Sequence, residues 1–199
     1  MAGQTRIDHA FFERSTPLVA HELIGKLLLH ETVAGTVGGR IVETEAYLGK
    51  DDPACHAAKG MTKRNAHMFG TAGRNYIYRS YGIHLCYNIT SDSEDLPAAV
   101  LIRALEPTHG IKLMYKNRSN AAELKQHRLA TGPGNLAKAL GLGLELSGCS
   151  VISGLLGVYD DGFAPDTKAV TVCPRIGISQ AVDLPLRYYL SESRSVSKK

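Results

Sequence analysis

Two glutamates, a tyrosine and a histidine stand close together in one stretch, Gly39 to His56, GRIVETEAYLGKDDPACH. It begins as a strand and ends in a polar, irregular loop. Residues two apart in a strand point the same way. That alternation puts Ile41, Glu43, Glu45 and Tyr47 on one face, and Val42, Thr44 and Ala46 on the other. Carboxylates and a phenol in line do not make an ordinary packing surface. A carboxylate can take a proton from water, and Tyr47 and His56 can sandwich a flat ligand.

Arg103 interrupts the apolar run AAVLIRAL. A buried arginine must be paired. It is either one half of a structural salt bridge or the partner of Glu45, where a cation favours the ionised carboxylate. Glu43 reads as a structural partner for a nearby cation. Tyr81 falls at a hairpin tip before a glycine. It is either a surface ring or a wedge that fills the gap left when a base leaves a nucleic-acid stack, with Ile83 beside it. Tyr47, His56 and Tyr78 are candidates to line a base pocket. Asn88 either hydrogen-bonds a base edge or cross-links strands. Gly132-Pro133-Gly134 reads as a plain turn before a helix, with phosphate binding through backbone amides as the alternative.

The elements that must position these residues follow from turn signals and periodicity. Asp8 can cap a helical turn holding Phe11 and Phe12. Ser15-Thr16-Pro17 opens a helix through Ile24, with a capping hydroxyl and a proline, and Gly25 ends it. Lys26–Val33 and Arg40–Leu48 form a hairpin around a Gly35–Gly39 turn. Gly49–Thr71 lacks a clean period and is long for a loop, so it is functional or disordered. Met68 and Phe69 can anchor it, and Lys59, Lys63 and Arg64 are either solvated or phosphate-contacting. Asn75–Ser80 and Ile83–Ser91 form a second hairpin. Ala98–Leu105 is a strand ended by Glu106-Pro107, which starts a helix through Met114. A further helix is expected over Asn120–Leu129, and a short one over LAKAL. Only short strands are expected between Gly141 and Asp166. Strands follow at Ala169–Ile178 and Leu186–Ser191. The expected fold is α+β, one compact domain over 1–190 with a curved, mainly antiparallel sheet, and a disordered polar tail over 191–199.

The chain has 199 residues, 23 basic and 19 acidic, for a net charge of +4. That length supports one domain with a real core, and the modest excess suits a polyanionic partner without requiring one. Cys55, Cys86, Cys149 and Cys173 show no metal spacing. The other seven histidines form no metal-spaced cluster either, so no metal and no cofactor are expected. Scattered cysteines suit a reducing compartment. No segment approaches the roughly 18 apolar residues of a membrane span, and the first residues carry no cleavable leader pattern. An intracellular, non-membrane protein is expected.

GRIVETEAYLGKDDPACH, TKRNAHMF, YIYRSYGIHLCYNIT, VLIRALEP, TGPGNLAKAL and PRIGISQAVDLPLRYYL together resemble the 3-methyladenine DNA glycosylases of the alkyladenine type. The match runs in order to about Leu190. The resemblance implies a monofunctional glycosylase that needs no metal, acts on alkylated or deaminated purines in double-stranded DNA and leaves an abasic site. Glu45 would activate water, held by Arg103, with the main-chain carbonyl of Ile176 as a further water contact. Tyr47, His56 and Tyr78 would line the base pocket, Asn88 would discriminate against the exocyclic amine of guanine, and Tyr81 would intercalate. Ile83 departs from the methionine of some members. A monomer is expected, cytoplasmic at a bacterial nucleoid or nuclear in a eukaryote. Two other classes compete: a nucleic-acid binder without chemistry, and a glycoside hydrolase using Glu43 and Glu45 as paired acids. The second is weakened because catalytic carboxylates flank a bond from opposite sides.

Overall fold

The long strand over Gly35–Tyr47 organises the molecule, because it carries the glutamates and pairs with three other strands. In the computed structural model, which describes residues 3–93, 96–119 and 123–199, the strands in chain order are β1 (Thr5–Arg6), β2 (Leu27–Thr32), β3 (Gly35–Tyr47), β4 (Asn75–Ser80), β5 (His84–Ser91), β6 (Ala98–His109), β7 (Leu156–Asp160), β8 (Val170–Cys173) and β9 (Arg187–Leu190). They form one sheet in the order β1-β7-β2-β3-β6-β5-β4, and β9 joins β8 to β3. All pairings are antiparallel. One edge of β3 pairs first with β2 and then, over Glu43–Glu45, with β9; the other edge pairs with β6. The helices are α1 (His9–Phe12), α2 (Thr16–Glu22), α3 (Ile111–Asn117) and α4 (Pro133–Ala139). This is the expected α+β fold built on a large antiparallel sheet.

The core lies on one face of this sheet. Val37, Ile41, Ala46, Val100, Ile102 and Leu105 meet Leu23 and Ile24 after α2, Met114 of α3 and Leu136 of α4. Each fully buried large aliphatic here contributes about 1.5–3 kcal/mol.

Several elements differ from the sequence reading. Gly38 and Gly39 lie inside β3 and make no turn. A Cβ on Gly38 would sit 2.1 Å from the Leu28 carbonyl oxygen, and one on Gly39 would sit 2.1 Å from that of Glu106. These glycines allow close strand approach. Glu106-Pro107 does not end β6, which runs on to His109; Gly110, at φ 62°, makes the break before α3. Ser15 makes no side-chain cap; Asp92 from across the fold accepts the Thr16 amide at 3.0 Å instead. The helix expected over 120–129 begins outside the described residues, and its described part holds a 3-10 turn, Gln126–Arg128. The strand expected over Ala169–Ile178 stops at Cys173. Pro174 has no N–H for a ladder, so Arg175 and Ile176 lie in a loop. Ile83 falls outside β5.

The segment 191–199 is packed, contrary to the expected disorder. Val196 is 6 % exposed and packs with Val42 and Ala104 on the face of the sheet opposite the core. One apolar residue in SRSVSKK anchors a segment whose composition is otherwise that of a solvated tail.

Candidate active site

A pair of bulges brings the chemistry together. The β3–β6 register passes from Ile41↔Leu105 to Glu43↔Ala104 and then to Thr44↔Ile102, skipping Val42 on one strand and Arg103 on the other. A bulge leaves one residue unpaired and resets the alternation. Ile41 therefore joins the core, correcting the face shared with Glu43 that strict alternation predicts. Thr44 also points to the core side, where its hydroxyl donates to the Ala20 carbonyl at 2.8 Å. Glu43, Glu45 and Tyr47 are left together on the opposite face with Arg103.

Arg103 reaches both carboxylates: its Nε donates to Glu43 Oε1 at 3.0 Å and its Nη1 lies 3.3 Å from Glu45 Oε2. Glu43 is fully buried and saturated with donors. Arg187 Nε donates to its Oε1 at 2.8 Å, and Ser197 donates its amide to Oε2 at 2.7 Å and its hydroxyl to Oε1 at 2.8 Å. The expected role of Glu43 as a cation's partner fits this geometry. A second acid in a glycoside-hydrolase pair would have to be free, and this one is not.

Glu45 is also fully buried. Its Oε1 accepts the Ile176 amide at 2.8 Å and its Oε2 accepts the Tyr47 hydroxyl at 2.9 Å. The contact that Ile176 makes with Glu45 is through its N–H. Burial pushes the Glu45 carboxyl above its ordinary range, while Arg103, the Ile176 amide and Tyr47 pull it down. A raised carboxyl is the stronger proton acceptor once ionised.

Tyr47, whose hydroxyl bonds Glu45, walls a cleft of about 410 Å³; Glu45, Arg103 and Ile176 are not among the residues that line it. Tyr47, His56, Tyr78, Asn88 and Tyr81 all line it, so one pocket collects five of the residues singled out from the sequence. The His56 and Tyr78 rings meet edge to face at 4.4 Å. His56 Nδ1 is 2.8 Å from the Tyr76 hydroxyl. Burial and the Arg64 charge push His56 down to about 4, so its imidazole is neutral at pH 7. The Asn88 side-chain amide donates to the Tyr76 carbonyl at 3.1 Å, the strand cross-link weighed above, from a position that also faces the cleft.

The Gly49–Thr71 loop is built around two side chains. Asp52 accepts the Leu48 and Ala54 amides, both at 3.1 Å. Asn65 Nδ2 donates to the His56 carbonyl at 2.9 Å and to that of Gly60 at 3.0 Å, which fixes the backbone that carries the histidine. Met68 packs with Cys55, Ala57, Tyr76 and Ala99 beneath the cleft. Lys59 and Arg64 line the mouth, with the Arg64 guanidinium 5.9 Å from the centre of the Tyr78 ring. Tyr81 stands 91 % exposed at the tip of the β4–β5 hairpin, and Ile83 69 % exposed beside it. Tyr81 and Gly82 hold φ of 48° and 71°, and Ile83 N–H donates to the Ser80 carbonyl at 3.1 Å. Two successive left-handed residues make a turn whose twist matches the hairpin.

The sequence reading missed Tyr76, Asp52, Arg175 and Arg187. Tyr76 shares its face with Tyr78 by alternation, and that signal could have found it. Arg175 donates to Asp52 Oδ1 at 2.8 Å and to the Ala46 carbonyl at 2.9 Å, and its guanidinium lies 4.7 Å from the centre of the Tyr47 ring. Spacing carries no sign of these pairs, which join residues more than a hundred positions apart. Among the described residues no three His, Cys, Asp or Glu side chains are grouped to hold a metal ion, and no helix is long and apolar enough to cross a membrane.

Fold and site together define an α+β protein with a buried carboxylate bonded to one wall of an aromatic cleft and an exposed tyrosine at its rim. The family model described as methylpurine-DNA glycosylase (MPG) matches residues 10–194. A protein of Methanoculleus marisnigri named "Putative 3-methyladenine DNA glycosylase" is 46% identical over 192 residues, 96% of this chain and 97% of its own length. Proteins of the same name from Methanocella arvoryzae, at 45% identity over 95% of this chain and 94% of theirs, and Chlorobaculum tepidum, at 44% over 97% and 91%, are also similar. The chain belongs to the methylpurine-DNA glycosylase family, hydrolases that act on N-glycosyl bonds in DNA.

Proposed function

We propose that the protein is a monofunctional DNA glycosylase that removes alkylated or deaminated purines, such as 3-methyladenine, 7-methylguanine, hypoxanthine and ethenoadenine, from duplex DNA and leaves an abasic site. The observation that carries this reading is the placing of Glu45: a buried carboxylate held by Arg103, the Ile176 amide and Tyr47, the last of which lines an aromatic cleft.

Tyr81 enters the duplex and fills the space of the extruded nucleotide. The purine lies against Tyr47, His56 and Tyr78, whose ring faces favour a flat base, and more so a cationic one. Where the Tyr76 hydroxyl donates to His56 Nδ1, the proton of the neutral imidazole sits on Nε2 and can be donated to the base. Asn88 bounds the pocket where an exocyclic amine would fall. The ionised Glu45 takes a proton from water, the water oxygen bonds to C1′, and the electrons of the glycosidic bond leave with the base. A purine alkylated at N3 or N7 departs neutral; a neutral lesion must gain a proton. The carboxylate also stabilises the positive charge that builds on the sugar.

Water, and not an amine, is the nucleophile in this scheme. Lys59 is exposed at the cleft mouth and supplies the comparison. The test uses duplex DNA with one labelled hypoxanthine or ethenoadenine, and alkylated DNA in parallel, with EDTA present. Free base, strand breaks only after alkali and no borohydride-trapped complex are expected, with Glu45→Gln binding DNA but releasing no base. Tight binding without base release from any substrate would favour a binding protein, and a borohydride-trapped complex would make an amine the nucleophile.

A further inference from the structure

The segment 191–199 is bonded to the glutamate network. Glu43 receives four hydrogen bonds, two of them from Ser197. Val196 fixes the approach by packing on Val42 and Ala104, and the Lys198 carbonyl accepts from Arg187, the other cation on Glu43. A solvated surface residue would not commit both its amide and its hydroxyl to one fully buried carboxylate, and hydrogen bonds to a charged acceptor are the strong ones.

We propose that Ser197 is a positioning residue for the reaction: it holds Glu43, Glu43 holds Arg103 through Nε, and the orientation thus imposed presents Arg103 Nη1 to Glu45. The inference rests on Glu45 being the proton acceptor. Its consequence has a definite sign. Without the Ser197 donors, Glu43 carries less compensated negative charge and draws Arg103 from the longer 3.3 Å contact with Glu45 toward itself. Glu45 then has less cationic support and a more negative neighbour, and both raise its proton affinity. The groups that face Glu45 are Glu43 and Tyr47 on its own strand, Arg103 on β6, Tyr78 on β4, Cys86 on β5 and the Ile176 amide with Arg175 behind Tyr47. Of these groups Glu43 is the one Ser197 hydrogen-bonds, so the change passes through Glu43 and Arg103.

Ser197→Ala removes the hydroxyl donor and keeps the amide; Ser197→Pro removes both; Ser197→Thr restores both. Single-turnover base release from hypoxanthine DNA is followed against pH for each. The acid limb is expected to move up by about half a unit in Ser197→Ala and by more in Ser197→Pro, and to return in Ser197→Thr, with DNA affinity unchanged. Superimposable limbs, with only thermal stability lowered, would reduce Ser197 to a structural clamp. A carbon-13 titration of the Glu45 carboxyl, identified by its loss in Glu45→Gln, keeps the two readings apart. If the wild type releases no base but the Glu45 titration moves in Ser197→Ala, the catalytic reading falls and the coupling stands. If base is released and the titration does not move, the coupling falls alone.

Discussion

Tyr47 donates its hydroxyl hydrogen to Glu45 Oε2 at 2.9 Å, so one wall of the aromatic cleft and the candidate base form a single hydrogen-bonded unit. The phenol keeps its proton, because burial and the neighbouring carboxylate push it up. Tyr47→Phe keeps the ring and removes the donor. One bond to a charged acceptor is worth about 1.5–3 kcal/mol. The donor also lowers the Glu45 carboxyl, so its loss raises that carboxyl further. Base release near neutral pH is expected to slow by about tenfold or more, with its acid limb moved to higher pH and DNA binding retained. Single-turnover rates across pH check it; an unmoved limb would remove Tyr47 from the tuning of Glu45.

Behind the same ring, Asp52 and Arg175 form a buried ion pair. The Arg175 guanidinium and the backbone amides of Leu48 and Ala54 hold the Asp52 carboxyl down against its burial. Removing the carboxylate leaves a buried guanidinium unpaired. Asp52→Ala should therefore destabilise the fold by about 3–5 kcal/mol, seen as a lower urea midpoint. The double variant Asp52→Ala/Arg175→Met should recover part of that loss, because it removes the orphaned charge. A double variant no more stable than Asp52→Ala would show that the loop depends on more than the pair.

The grouping of the glutamates, the cleft rings and the exposed hairpin-tip tyrosine was legible because strand alternation and turn signals place residues that are near in sequence. Tyr47 lies two positions from Glu45, and Tyr81-Gly82 marks its own hairpin. That Arg103 needs a partner was legible, because a charge in an apolar strand demands one; that it reaches Glu43 at 3.0 Å as well as Glu45 at 3.3 Å was not. What stayed hidden depends on long-range closure. Ser197 meets Glu43 across 154 positions and Arg175 meets Asp52 across 123. The shared face assigned to Ile41 and Glu43 failed because a bulge is a property of two strands, and one strand's alternation cannot report it. GTVGG read as a turn because glycine signals both bends and close strand approach.

His56 sets a pH dependence of stability. Its imidazole titrates near 6.5 when unfolded and is pushed down to about 4 in the fold, chiefly by burial and then by Arg64. Between these values the unfolded chain binds a proton that the folded chain refuses. The stability is fully present above 6.5 and is lost as pH falls through that window. The ring is partly exposed, so screening reduces the effect to about 1 kcal/mol. Urea midpoints measured across the window should fall with pH in the wild type and fall less in His56→Gln. Equal slopes would mean that the ring accepts a proton in the folded protein.

Tyr81 couples local strain to exposure. Its φ of 48° lies in the left-handed region, which costs a bulky residue about 1 kcal/mol, and its ring is 91 % exposed, with little packing in return. A residue selected for stability at this turn would be Asn or Gly. Tyr81→Asn should therefore leave the melting temperature unchanged or slightly higher, because Asn accepts this conformation and no buried contact is lost. The same variant should excise hypoxanthine from duplex DNA more slowly, by about tenfold, since an empty space in the stack goes unfilled. Excision from a single strand, where no stack has to be repaired, should change little. Equal losses on both substrates would place Tyr81 in general DNA contact. No loss on either would leave the strained, exposed ring without a part in the reaction.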